Sequence, residues 1–237
     1  MEPIIQCVDI KKIYSVEGLL NRKSIPALKR INFKVLKNEV FSIIGLNGAG
    51  KTTLLSIIIG SVKPNYGEVK FFIDNHRLKI GYMPEIINFP PNLTPLNILK
   101  SLRFIYPEIT ENTIYETLEA VGLKNFENSS LKTFSKGMYQ RFNLAQAIIH
   151  SPEILILDEP FSGLDPLGRE LFFNIFKELS GRGVTIVFSS HILTDVEKIS
   201  DKVMILHKGD ILELFEKESI LEPLNEVFIK SISIREN

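Results

Sequence analysis

The chain has no tryptophan and a single cysteine, Cys7, so no internal disulfide is available and Cys7 is expected to pack as a small core residue. Lysine plus arginine and aspartate plus glutamate both number 28, leaving no excess of either sign; nothing in that balance points to nucleic acid. No apolar run approaches the length that spans a bilayer, and the opening residues MEPIIQCVDIKK carry no signal-peptide pattern, which predicts a cytoplasmic protein. Heptads, internal repeats, cysteine clusters and low-complexity tracts are also missing. What remains is ordinary globular material: 237 residues, 44% hydrophobic, enough to bury a sizeable core in one large α/β domain.

Short buried-strand signals alternate with helical ones. Val40–Ile44 (VFSII), Ile154–Leu157 (ILIL), Val184–Phe188 (VTIVF) and Val203–Leu206 (VMIL) are apolar, mostly β-branched runs, and Phe172–Leu179 has helical spacing ended by Gly181 and Gly183. Residues 4–14 and Ile31–Leu36 read as strands of an antiparallel portion, with Ser15–Pro26 an exposed loop between them, basic at Arg22 and Lys23. Gly67–Ile73 and Lys79–Met83 are further strand candidates. His207–Asp210 with Ile211–Leu214 reads as an edge hairpin. From about 86 to 152 prolines interrupt the pattern, while Ile114, Leu118, Val121 and Leu123 keep helical periodicity, which predicts a helical lobe inserted in the α/β core. A short C-terminal extension covers about 216–237.

Two motifs carry chemistry. Residues 45–52, Gly-Leu-Asn-Gly-Ala-Gly-Lys-Thr, lie between the VFSII strand and a helix beginning near Thr53, and fit the pattern of a phosphate-binding loop. Such a loop aims successive backbone N–H groups and the positive end of a helix dipole at one point, and Gly48 and Gly50 admit phosphate where a Cβ would collide. Gly45, Asn47, Gly48, Ala49, Gly50, Lys51, Thr52 and Thr53 are therefore the expected phosphate-binding residues. Lys51 would pair with the β- and γ-phosphates, and Thr52 would offer its hydroxyl to magnesium. The second motif is ILILDE at 154–159, a buried strand whose C-terminal tip carries two carboxylates, where open α/β sheets bind ligands. Asp158 is the candidate magnesium ligand, and Glu159 the candidate acceptor that orients an attacking water.

With these in place, further segments resemble one family. Phe134-Ser-Lys-Gly-Met-Tyr-Gln-Arg resembles the signature sequence of ABC ATPases, Ser162-Gly-Leu-Asp-Pro their D-loop, and His191 in Ser-Ser-His their switch histidine. Tyr14 falls where the family places an aromatic that stacks on adenine, and Glu85 stands where it usually has a glutamine that touches magnesium. The order of elements matches over essentially the whole chain. SKGM in the signature, GYMPE at 81–85 and the C-terminal LNEVFI resemble the separate ATPase subunits of ABC-2 type exporters. The resemblance implies an α/β fold with a P-loop NTPase core, a mixed sheet, an antiparallel β portion and an inserted helical subdomain. It implies ATP and Mg2+ as cofactors, catalysis by Glu159, His191 and Lys51, and magnesium held by Thr52, Glu85 and Asp158. It further implies a clamp-like dimer in which Ser135, Lys136, Gly137 and Asp165 of one cassette contact ATP on the other. The implied partners are a second ABC ATPase chain and an integral membrane permease, with the chain peripheral on the inner face of the cell membrane. Soluble ABC ATPases that act on ribosomes or DNA are the alternative, but they usually carry two cassettes, coiled coils or zinc inserts, and this chain has one cassette and none of those inserts.

Overall fold

A computed structural model of the chain describes residues 2–17, 22–73, 78–86 and 89–236. The backbone separates into two compact units, one formed by residues 1–76 with 187–237 and the other by 77–186.

In the first unit, β1 (Pro3–Glu17), β2 (Arg22–Leu36) and β4 (Tyr66–Phe71) make an antiparallel three-stranded sheet in the order β2-β1-β4. The β1–β2 ladder runs from Pro3↔Leu36 through Ile10↔Ile31 to Tyr14↔Ile25 and Val16↔Lys23. This corrects the sequence reading of Ser15–Pro26 as a loop. Backbone pairing continues through this polar stretch because an antiparallel ribbon needs only matched N–H and C=O groups, not an apolar face. Positions 18–21 and the side chains of Arg22 and Lys23 lie outside the described residues, as does His76.

The strand β3 (Val40–Ile44), buried at every position, leads into α1 (Lys51–Ile58) and pairs in parallel with β8 (Lys202–His207). The edge hairpin expected after β8 is present: β9 (Asp210–Glu216) runs antiparallel to it, which makes this part of the sheet mixed. The core joins Ile5, Ile10, Leu28, Ile31, Phe41, Ile43, Leu54 and Met204, all fully buried, with Phe33 and Phe41 stacked 5.3 Å apart. Cys7 is buried here as expected, and burial pushes its thiol up to about 12. The C-terminal segment ends in α6 (Leu193–Ile199) and α7 (Leu224–Glu236).

The second unit contains the parallel pair β5 (Ile80–Met83) and β6 (Ile154–Leu157), in register from Ile80↔Ile154 to Met83↔Leu157. Between them lie the helices α2 (Pro95–Ser101), α3 (Glu111–Ala120) and α4 (Lys136–Ile148). Each starts on a side-chain cap, Thr94, Thr110 and Ser135 in turn, whose oxygen accepts a backbone N–H of the first turn. After β6 comes α5 (Pro166–Gly181), anchored by Phe172 and Phe176, which cluster with Phe161 at ring separations of 5.6 to 6.4 Å. The strand β7 (Thr185–Ser190) begins in this unit and ends in the first. Among the described residues no helix is long and apolar enough to cross a membrane.

Candidate functional site

The phosphate loop is built in the first unit. Its backbone leaves β3 and turns on Gly48 (φ +80°) and Gly50 (φ +110°), both in the left-handed region that disfavours a side chain. The two glycines serve different ends. A Cβ on Gly50 would lie 2.7 Å from the Ala27 carbonyl oxygen, and one on Gly45 would lie 2.3 Å from that of Leu206, so both are required by packing. A Cβ on Gly48 would meet nothing within 4 Å, so that side of the loop is open. Gly50 is the N-cap of α1 and brings no side-chain cap, so the positive end of the helix dipole faces the loop with no capping side chain over it. Lys51 is 6% exposed, with Nζ donating to the Gly45 carbonyl at 2.8 Å, while Asn47, Gly48 and Thr52 are exposed and Thr53 is half-buried. That hydrogen bond ties the ammonium to the base of the loop it belongs to.

The hairpin between β8 and β9 braces this loop. The Gly209 N–H donates to Ala49 O at 3.0 Å, its carbonyl accepts from Lys29 N at 2.9 Å, and the Lys29 ammonium pairs with Asp210 at 2.6 Å. Two other expected residues sit in this unit. Tyr14 is 40% exposed on β1, with Lys12 Nζ over one face of its ring, 5.0 Å from the centroid. His191 is exposed directly after β7, where the Ser190 hydroxyl accepts from Ile192 N at 3.0 Å and fixes the turn.

The carboxylates belong to the second unit. Asp158 is fully buried at the C-terminal tip of β6, and its N–H donates to Met83 O at 2.8 Å, extending the ladder one residue beyond the strand. Glu159, 6% exposed, has φ +50°, a left-handed conformation uncommon for a residue with a side chain and shared here with Asp9, Asn38, Asn125, Ser151 and Lys208. Glu85 is exposed just beyond β5. Ser135 and Asp165 are helix caps: Ser135 Oγ accepts from Met138 N at 3.2 Å at the start of α4, and Asp165 Oδ1 accepts from Gly168 N at 2.7 Å at the start of α5. Gly137 is half-buried near the Gly163 carbonyl, and the stem of Lys136 lies across Gly163, where a Cβ would come within 2.4 Å of it.

Sequence reasoning missed Gln140 and Asn143, whose buried amides donate to main-chain carbonyls beside the candidate residues Glu159 and Glu85, Gln140 to Glu159 and Pro160 at 3.3 Å each and Asn143 to Pro84 at 2.9 Å. The available signal was two amides at i and i+3 within a helix. A separate cavity of about 540 Å3, lined by Thr117, Ile148, Pro152, Glu178, Leu179 and Arg182, includes none of the expected site residues.

Comparison with known proteins identifies the family. The family described as ABC transporter matches residues 28–162. The bacitracin transport ATP-binding protein BcrA of Bacillus licheniformis is 38% identical over 225 residues, 90% of this chain and 70% of that protein. The lantibiotic transport ATP-binding protein SrtF of Streptococcus pyogenes is 34% identical over 236 residues, 97% of each. An ABC transporter ATP-binding protein of Synechocystis is 39% identical, and this chain spans 62% of its length. Among solved structures, the cassette MJ0796, in a dimeric post-hydrolysis state bound to ADP and Pi, superimposes with a TM-score of 0.81 at 27% identity, over 92% of this chain and all of that one. The chain belongs to the ABC transporter family, as one of its ATP-binding cassettes.

Proposed function

We propose that this chain is the ATP-hydrolysing subunit of an ABC transporter, working as a clamp-like dimer of cassettes to drive export through a separate membrane permease. The observation that carries this reading is the phosphate loop, open on the side of Gly48 and holding the buried Lys51 ammonium at its base. The names of the bacitracin and lantibiotic transport relatives support transport, and the dimeric MJ0796 cassette supports the clamp.

The loop from Asn47 to Thr53 binds the phosphates, with Gly45 giving the loop its close seat on β8. Lys51 neutralises charge on the β- and γ-phosphates. Tyr14 stacks on the base. The oxygen donors of Thr52, Glu85 and Asp158 suit magnesium, which prefers hard ligands and keeps much of its shell as water and phosphate. When bound, magnesium supplies charge neutralisation at the transferred phosphoryl group. Glu159 accepts hydrogen bonds from the attacking water and orients it, and His191 contacts the γ-phosphate. Glu85, charged where the family usually has an amide, keeps an oxygen for the ion.

Ser135, Lys136, Gly137 and Asp165 act on ATP held by the second cassette, so two nucleotides are buried between two chains and hydrolysis releases the clamp. The permease holds the chain peripherally at the inner face of the cell membrane. The test is Glu159→Gln. The variant should bind ATP, lose turnover and form an ATP-dependent dimer on size exclusion, and should recover a polytopic membrane protein from detergent-solubilised membranes. A monomer in ATP, at concentrations where the wild-type chain turns over, would remove the clamp. Recovery of ribosomal or DNA-associated partners alone would remove transport.

A further inference from the structure

One helix touches every catalytic segment of the second unit. At its first turn, the Lys136 stem crosses Gly163. One turn on, Gln140, 6% exposed, points its amide at the residues after β6, Nε2 lying 3.3 Å from the carbonyl oxygens of both Glu159 and Pro160. Asn143, 2% exposed, donates to Pro84 O beside Glu85. Positions 136, 140 and 143 follow the i, i+4, i+7 spacing of one helix face.

The turn that Gln140 reaches is an unusual one. Glu159 has φ +50°, and its carbonyl also accepts from Ser162 N at 3.1 Å. A side-chain-bearing residue persists in that region only where the surroundings over-determine it, at a cost on the order of 1–3 kcal/mol. Two consecutive carbonyls need two donors from one direction. A carboxamide has two N–H groups on a single nitrogen, a carboxylate has none, and a thioether has none. Glutamine is the uncharged side chain long enough to serve both from α4.

We propose that Gln140 is a positioning residue for Glu159. It locks the left-handed turn from which the carboxylate projects, and so ties the orientation of Glu159 to the helix that begins at Ser135. This rests on the reading of Glu159 as the group that orients water.

The experiment uses the full chain and steady-state ATP hydrolysis. Gln140→Met keeps the volume and removes both donors. It should lower kcat about tenfold, in line with the sensitivity of reacting groups to sub-ångström misplacement, and leave KM for ATP within about twofold. In a Glu159→Gln background it should not alter ATP affinity, because its effect runs through the carboxylate that is already gone. Gln140→Glu provides a second route that does not depend on the methionine variant folding. Ionised, it faces two carbonyls with no donor; protonated, it regains one. Its kcat relative to wild type should therefore rise as the pH is lowered toward the carboxylic acid range, a response that a packing role would not give. Wild-type kcat in Gln140→Met while Glu159→Gln abolishes turnover would overturn the positioning role. So would a raised KM at unchanged kcat, or a flat ratio for Gln140→Glu. Wild-type turnover in Glu159→Gln would instead overturn the reading of Glu159 on which the inference stands.

Discussion

Alanine at Gly48 and at Gly45 should have opposite consequences. At Gly45 the new methyl would sit 2.3 Å from Leu206 O and 3.0 Å from Ala49 Cβ. That carbonyl belongs to β8, held in parallel register with β3 up to Ile44↔Ile205, so it must retreat by about 1 Å against the ladder to reach ordinary contact. Such overpacking costs about 1–3 kcal/mol of stability, or roughly 2–12 °C in Tm for a chain this size. At Gly48 the methyl meets nothing, and the cost is the left-handed backbone alone, about 1 kcal/mol. The open side of Gly48 is where phosphate must approach, so Gly48→Ala should weaken ATP binding by at least about tenfold, close to 1.4 kcal/mol. The assay pairs urea unfolding with titration of a fluorescent ATP analogue on both variants. Gly48→Ala should be the more stable and the weaker binder relative to its stability loss. Wild-type affinity in Gly48→Ala would refute the assignment of that face to phosphate. A Gly45→Ala protein as stable as wild type would refute the packing argument.

The phosphate loop and the β6 carboxylates were legible because their chemistry is local: eight consecutive residues running from a strand into the first turn of a helix, and two acids at the end of an apolar run. The strands that frame them were legible for a related reason, since Val40–Ile44 and Ile154–Leu157 are buried at every position and carry an unbroken apolar signal. Within the β1–β2 ribbon, residues 4–14 and Ile31–Leu36 were legible as antiparallel strands, but its outer half was not. Beyond Ile13 its residues are mainly polar or exposed, with Tyr14 and Ile25 each about two-fifths exposed, so no alternation marks the strand and Pro26 argues against it. Gln140 was hidden more deeply. Its partners lie 19 and 20 positions away and accept through main-chain carbonyls, which every residue has and no sequence displays. The left-handed turn at Glu159 is likewise invisible, because glutamate gives no sign of it.

Two further predictions concern stability and its confusion with function. His150 is 5% exposed and stacks on Tyr106 at 4.4 Å. Its Nε2 donates to Ile80 O at 3.1 Å and its Nδ1 is buried without a partner, so burial holds its pKa below the ordinary 6.5. The unfolded chain then binds a proton more readily, and stability falls as pH drops below about 6.5, by up to about 1.4 kcal/mol per unit; urea unfolding at neutral and mildly acid pH should show a smaller acid loss in His150→Gln. The second prediction turns on Ser135, which is at once the N-cap of α4 and the residue assigned to the second cassette's nucleotide. Ser135→Ala removes the oxygen that accepts from Met138 N and should cost about 1 kcal/mol of stability, so a loss of activity in that variant has two explanations. Ser135→Asp separates them, because aspartate caps a helix as well as serine does while placing a negative charge toward phosphate. Its unfolding midpoint should match wild type and its ATP-dependent self-association should be lost. Self-association retained in Ser135→Asp would mean that Ser135 serves α4 alone, and the assignment of the signature helix to a second cassette's ATP would fall with it.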